Sequence, residues 1–235
     1  MSINAVWGPP HSGKTTLAID LAYALSQKGQ SVCLISPELY SELSARMKIN
    51  ITKQKSLTMA CKTKESLKQV VFRADELLYV LAVPCYNDAF GEDTGSDAAK
   101  TILDQANTLF DVVLVDCPSY AGSVLAAWAL NRAEKVLLLT GGQASSGLWY
   151  NAYRRAVEIV TPRAVSVCIE INDSFDYPAL HKLIGVSAEV WIPFYKDAEA
   201  FQNLKPTLYD SGGKTGKAYS GSINEVCTKL RGGLL

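Results

Sequence analysis

The chain has 235 residues, 48% of them apolar and 20% charged, with 23 basic side chains balancing 23 acidic ones. Such a composition excludes disordered, collagen-like and low-complexity classes, and zero net charge provides no global pull toward nucleic acid or anionic lipid. The length fits one domain spanning 1–235, which on folding buries roughly 70% of the surface of the open chain.

In chain order, an apolar run at 3–7 is followed by a glycine-rich loop. A helix then carries Leu17, Leu21, Ala24 and Leu25 at i, i+4, i+7 and i+8, and Gly29 stands where a C-terminal cap belongs. Further apolar runs at 31–35, 78–83, 112–115, 135–139, 165–171 and 189–192 bring the total to about seven predicted strands. Their Val, Ile and Leu content is nearly continuous, as in a parallel sheet covered on both faces. The pattern weakens over 40–76, where a helix is predicted near Leu67 to Leu78, and Asn87 to Ser96 reads as a polar loop. Trp149, Ala152, Tyr153, Ala156, Val157 and Val160 repeat at helical spacing between Ser145-Ser146 and Thr161-Pro162. Asn224 to Leu235 closes the chain as one short predicted helix. Strand and helix alternate without repeat or linker, which predicts a single-domain, doubly wound α/β fold: a mostly parallel, seven-stranded sheet with helices on both faces.

Several chemistries drop out. The six cysteines are scattered with no C-x-x-C pair, and the only histidines are His11 and His181, which speaks against a zinc site, a disulfide framework or a Ser-His-Asp triad. The longest apolar stretch, Leu77 to Tyr86, is about half of what a membrane span needs. Met1 opens directly into a strand-like run, so no signal peptide is expected and the protein reads as reduced and cytoplasmic.

In doubly wound folds ligands sit outside the carboxyl ends of the strands. After the first predicted strand comes Gly8-Pro9-Pro10-His11-Ser12-Gly13-Lys14-Thr15, which fits G-x-x-x-x-G-K-[ST] between a strand and a helix. Phosphate needs converging backbone N–H groups, a helix N-terminus and a mobile ammonium. Pro9 and Pro10 lack N–H donors, so donation falls to residues 11–16: His11 through its amide, then Ser12, Gly13, Lys14, Thr15 and Thr16. Gly8 and Gly13 allow close approach, Lys14 supplies the cation, and the Thr15 hydroxyl is a Mg²⁺ ligand. Val112 to Asp116, after Phe110-Asp111, is an apolar strand ending in a carboxylate and running into Cys117-Pro118-Ser119. That is a Walker B pattern, with Asp116 on the metal and the following loop answering to the γ-phosphate. Glu38, in Ser36-Pro37-Glu38, is placed to orient an attacking water.

Together these segments resemble the MinD/ParA class of P-loop ATPases from Ile3 to about Leu230. The likeness rests on Gly8 to Thr16, Val32 to Glu38, Phe110 to Pro118, Ala133 to Val136, Ile171-Asn172 and Val190 to Pro193, in the family's order. The resemblance implies binding of ATP and Mg²⁺ between two protomers, engagement of a partner by that dimer, and release on hydrolysis. It also implies that Asn172 hydrogen-bonds adenine and that the backbone after Ile192-Pro193 flanks the base. Two departures stand out. Where the family has a signature lysine that reaches the partner's nucleotide, this chain has Pro9. The first of two family aspartates after the second strand is Ser36 here, and the second is Glu38. Loss of such a charge is commonly worth about 3–4 kcal/mol, so slow hydrolysis is expected unless Arg154, Arg155 or Lys196 substitutes. Loss of the lysine is similar to TadZ/CpaE-like members, which help localise pilus-assembly machinery, though the extra N-terminal receiver domain is not seen here.

From Arg46 to Lys68 lie seven basic residues (Arg46, Lys48, Lys53, Lys55, Lys62, Lys64, Lys68) and one acid, Glu65. They read as a solvated face, with non-specific DNA contact or an acidic partner as the alternative. No aromatic residue interleaves with these lysines, which argues against single-strand stacking. A terminal membrane-targeting helix is disfavoured, since the predicted last helix is too short to be one as well as a core helix. Two other functions fit the loop: a small-molecule or nucleotide kinase, for which arginines are few, and a nucleotide-binding scaffold that does not hydrolyse. The run Ile169 to Ser174 lacks N-K-x-D, which disfavours GTP.

Overall fold

The computed structural model describes residues 1–62, 66–85, 94–120 and 122–230. The chain runs β1 (Ser2–Trp7), α1 (Lys14–Gln27), β2 (Val32–Ile35), α2 (Leu43–Met47), α3 (Leu57–Lys62), α4 (Leu67–Val70), β3 (Phe72–Arg73), β4 (Leu78–Leu81) and α5 (Ser96–Leu109). It continues through β5 (Val112–Asp116), α6 (Val124–Arg132), β6 (Lys135–Leu139), α7 (Ser145–Ala152), α8 (Arg154–Val160), β7 (Ala164–Ile169), α9 (Tyr177–Ile184), β8 (Val190–Ile192), α10 (Ala198–Leu204) and α11 (Gly213–Leu230). One sheet of eight strands, ordered β3-β4-β2-β5-β1-β6-β7-β8, holds them together. All seven predicted strands are present and mutually parallel.

The eighth strand corrects the seven-stranded expectation. β3 runs antiparallel to β4, pairing Phe72 with Val80 and Arg73 with Tyr79. It also displaces the predicted helix at Leu67 to Leu78, of which only the single turn α4 forms. The cause is local: Asp75 Oδ1 accepts from the Glu76 amide at 2.7 Å, and the amides of Ala74 and Asp75 both donate to the Leu78 carbonyl. That turn folds the chain back on β4.

Alternate side chains of each strand enter two cores. Val6, Leu34, Leu114, Leu137 and Val167 pack on one face under α1 and α11, while Ala5, Trp7, Ile35, Val113, Val115 and Leu138 pack on the other under α5, α6 and α7. This two-sided burial is why the strands are continuously apolar. In α1, Leu17, Leu21, Ala24 and Leu25 are fully buried. The helix ends as predicted, with Gly29 at φ 81, its amide on the Ser26 carbonyl at 3.0 Å and the Gln30 amide on Leu25 at 3.2 Å. Such a paired closure needs a left-handed residue, hence glycine.

Two helices differ from their predicted extents. The helix expected from Ser145 to Thr161 is bent into α7 and α8 at Tyr153 (φ −99, ψ 14), whose ring stacks on Trp149 at 4.9 Å and stands edge-on to Trp7 at 5.8 Å. α11 begins eleven residues earlier than the predicted start at Asn224, at Gly213 against 224. Its polar first turns hide a face of Tyr219, Ile223, Val226, Cys227 and Leu230 that is buried. Residues 231–235 of that predicted helix, and the predicted loop Asn87 to Ser96 up to residue 93, lie outside the described residues; Ser96 itself starts α5. Among the described residues no helix is long and apolar enough to cross a membrane.

Candidate functional site: the phosphate loop and its neighbours

β1 lies between β5 and β6, so the loop that leaves it is flanked by both neighbouring strand ends. The register pairs Val6 with Asp116 and Trp7 with Leu138, and the Cys117 amide donates to the Val6 carbonyl at 2.9 Å. The Asp116 carboxylate is thereby held level with the start of the loop.

Within the loop, His11 (φ 54) and Gly13 (φ 87) are both left-handed on either side of Ser12. The side chain of His11 is exposed and that of Ser12 is buried. The first loop or helix amide beyond the prolines to reach a backbone acceptor is that of Leu17, on the Gly13 carbonyl at 2.9 Å. Among the described residues, the amides of 11–16 make no such bond, and this is the donor cluster an anion requires. Pro9 anchors the loop through its carbonyl, which accepts from Ser12 Oγ at 2.8 Å and Lys14 Nζ at 2.9 Å. A Cβ placed on Gly141 would lie 3.3 Å from Pro9 Cγ, so the proline ring packs against the loop after β6.

Lys14 is 9% exposed and its ammonium also donates to Ser119 Oγ at 2.6 Å. Burial pulls its pKa down, against the opposing charges of Asp116 and Glu38. Thr15 Oγ1 donates to Asp116 Oδ2 at 2.8 Å. The two residues assigned to Mg²⁺ are thus in direct contact, on elements 101 positions apart. Hydroxyl and carboxylate oxygens are the hard donors Mg²⁺ takes, together with water and phosphate oxygens, so this pair fits the ion. Glu38 is half-buried, its carboxyl pushed up by burial, pulled down by Lys14 and raised again by Glu42. Lys14, Asp116 and Glu38, far apart in sequence, therefore share one electrostatic neighbourhood. Ser36, which replaces the other family aspartate, is 1% exposed, and its hydroxyl has no hydrogen-bond partner.

Burial raises Asp116 to about 7 from an ordinary 3.8; the Thr15 hydroxyl opposes the shift, Glu38 adds to it, and Lys14 opposes it more weakly. The folded state therefore holds a proton that the unfolded state releases above its own, lower value. The associated stability is complete below the unfolded value and is lost as pH rises through the folded one. The nucleotide-free protein should accordingly show a lower urea midpoint at about pH 8 than at about pH 5, and Asp116→Asn should flatten that slope. An unchanged slope in the variant would remove this assignment.

Beside the loop a cavity of about 430 Å³ is lined on one side by Gly13 and Thr16 and elsewhere by Glu170, Pro193, Phe194, Lys196, Leu208 and Tyr219. Pro193, expected from the sequence to flank the base, is among the residues that line this cavity. Asn172 does not line this cavity; its carboxamide oxygen accepts from the Ser174 amide at 2.9 Å and from Ser174 Oγ at 2.7 Å. Of the three candidate substitute cations, Lys196 lines the cavity, whereas Arg154 and Arg155 stand exposed on α8 and Arg154 is paired with Glu158 at 3.2 Å. Sequence reading missed Trp149, whose indole N–H donates to the Ser119 carbonyl at 2.6 Å, and Glu170, which accepts from the Phe194 amide at 3.1 Å. Neither sits in a motif.

In the basic segment, Lys48 donates to the carbonyls of Asn203 and Leu204, Lys55 to the Gln69 carbonyl, and Arg46 pairs with Glu42 at 3.7 Å. Three of its cations thus have partners within the protein; Lys64 and Glu65 lie outside the described residues.

A glycine-lysine-threonine loop after the central strand, with an aspartate at the neighbouring strand tip, defines a P-loop nucleotide-binding fold of the MinD/ParA type. A family model described as an AAA domain matches residues 11–148, more than half of the chain, and the protein belongs to that family. Solved structures agree on the fold. They include MinD from Pyrococcus horikoshii OT3 complexed with Mg-ADP, with a TM-score of 0.74, 17% identity and 96% of each chain covered. A ParA family ATPase from Chlorobium tepidum TLS gives a TM-score of 0.75 at 15% identity over 97% of each chain. An ATP complex of McdA from Cyanothece gives 0.74 at 15% identity, covering 100% of this chain and 98% of that one. No curated protein sequence matches the chain.

Proposed function

We propose that the protein is a Mg²⁺- and ATP-binding P-loop ATPase that pairs with a second copy when the triphosphate is bound and so positions a partner, with slow hydrolysis. The observation that carries this reading is the double link across the loop: Lys14 to Ser119 and Thr15 to Asp116. Both residues that would hold the β- and γ-phosphates and their ion already touch this neighbouring element: Thr15 at Asp116, the last residue of β5, and Lys14 at Ser119 in the segment after it. Lys14 has three N–H donors, two of them on the Pro9 carbonyl and Ser119 Oγ, so serving both a β- and a γ-phosphate oxygen requires it to give up one present bond. A switch needs such an exchange of partners. Mg²⁺, held by Thr15 and Asp116, would neutralise charge on the phosphate oxygens. The amides of 11–16 and Lys14 bind and orient the tail, and Glu38 orients the water from the end of β2. MinD and McdA structures carry Mg-ADP and ATP, and MinD from Aquifex aeolicus has been solved with MinC, which supports both the ligand and a protein partner here.

Leu39, Tyr40 and Tyr120 are exposed on the loops after β2 and β5, at the same end of the sheet as the phosphate loop. This gives a second copy an apolar surface to meet. Pro9, its ring against Gly141, brings no cation to that surface, and the missing charge is why hydrolysis is slow. Size-exclusion chromatography with light scattering in ADP, ATP and a non-hydrolysable analogue, with phosphate release measured in parallel, tests the proposal. A dimer only with triphosphate, and phosphate release that disappears in Lys14→Ala, is the expected result. A monomer in all three, or phosphorylation of an added metabolite, would overturn it, and a stable ATP dimer without turnover would reduce it to a scaffold.

A further inference from the structure

Asp20 is 1% exposed, on the face of α1 one turn beyond Thr16, and belongs to no motif. Its carboxylate accepts three hydrogen bonds from one distant stretch of chain: Thr207 Oγ1 at 2.5 Å, the Leu208 amide at 2.8 Å and the Tyr219 hydroxyl at 2.5 Å. Burying a carboxylate is costly unless donors surround it, and here they do. The charged group that acts on it from a neighbouring element is Arg46, on α2. Two of its three partners, Leu208 and Tyr219, line the same cavity as Gly13 and Thr16. Residues four apart share one helix face, so Thr16 and Asp20 set phosphate loop and far wall on a single rigid ruler. Thr207 extends the link, since its Oγ1 also accepts from the Tyr209 amide at 3.0 Å.

We propose that Asp20 is a positioning residue that fixes the Leu208–Tyr219 wall at the width a nucleoside needs, and so supplies the base-side share of nucleotide affinity without touching the nucleotide. This rests on the reading of the site as a nucleotide site given above. It separates two halves of the ligand. The phosphate tail is held by residues 8–16 and by the ion on Thr15 and Asp116, whereas the nucleoside depends on a wall that is correctly placed only while the carboxylate gathers its three donors.

The test is calorimetric titration of the full chain with MgATP and, separately, with magnesium tripolyphosphate, for the wild type, Asp20→Asn and Tyr219→Phe. Loss of a hydrogen bond to a charged group is commonly worth about tenfold in an equilibrium. We therefore expect the preference for ATP over tripolyphosphate to fall about tenfold in Asp20→Asn and a few-fold in Tyr219→Phe, with tripolyphosphate affinity unchanged. A merely structural role would weaken both ligands alike or neither, and either result overturns the proposal. If Asp20→Asn fails to fold, Tyr219→Phe decides, because its ring still lines the cavity; an unaltered preference there overturns the proposal as well. A wild type that binds neither ligand instead sinks the nucleotide reading itself.

Discussion

Replacing Lys14 by alanine is expected to weaken ATP binding by roughly a hundredfold or more while leaving the fold standing. The ammonium is the only side-chain cation in the phosphate loop, and charge-assisted hydrogen bonds to phosphate are worth about twice a neutral one. Two such bonds lost in a low-dielectric site amount to about 3–4 kcal/mol, or a factor of hundreds. The stability of the nucleotide-free protein should change far less. Its present partners, the Pro9 carbonyl and Ser119 Oγ, are neutral, and burial already pulls the ammonium toward its uncharged form, so removing it also removes a desolvation cost. Titration with ATP alongside urea unfolding separates the two quantities. Wild-type affinity in the variant would show that the lysine does not serve the ligand.

Gly8→Ala should be the most damaging small substitution in the loop. Gly8 sits at φ 156, and a methyl there would lie 2.8 Å from the Leu139 carbonyl oxygen, 3.0 Å from Leu139 Cβ and 3.2 Å from its amide nitrogen. These atoms belong to β6, pinned between β1 and β7, so nothing cheap can move. Overpacking of this kind costs about 1–3 kcal/mol, and any relief that pushes the loop off β6 also displaces the amides of 11–16. Both the urea midpoint and ATP affinity should fall. Gly29→Ala is the internal comparison: φ is also positive at 81, but a methyl meets nothing within 4 Å, so only the conformational cost of about 1 kcal/mol remains and binding is untouched. Equal losses in the two variants would refute the steric account.

Legibility in the sequence followed from how local the information was. The phosphate loop, the strand ending in Asp116 and the seven parallel strands were readable because each is a short run whose chemistry or continuous apolarity is visible by itself. β3 was not, since two residues carry no periodicity and the reversal depends on Asp75 capping its own turn. The bend at Tyr153 escaped for the opposite reason: the helical period persists through it, and only the Trp7–Trp149–Tyr153 ring cluster in three dimensions makes the break. Around the site the same division holds. Residues in motifs could be named, whereas Asp20, Trp149 and Glu170 act through partners 187, 30 and 24 positions away, and no spacing rule reaches that far.

The two margins of the sheet limit how copies of this chain can come together. One margin is a two-residue strand running the wrong way for its parallel neighbours, and the other is only three residues long. Neither offers a ladder long enough to recruit another backbone, and a reversed, abbreviated border is a known guard against runaway stacking. Growth by sheet extension is disfavoured at both sides, which leaves contact between copies to side chains.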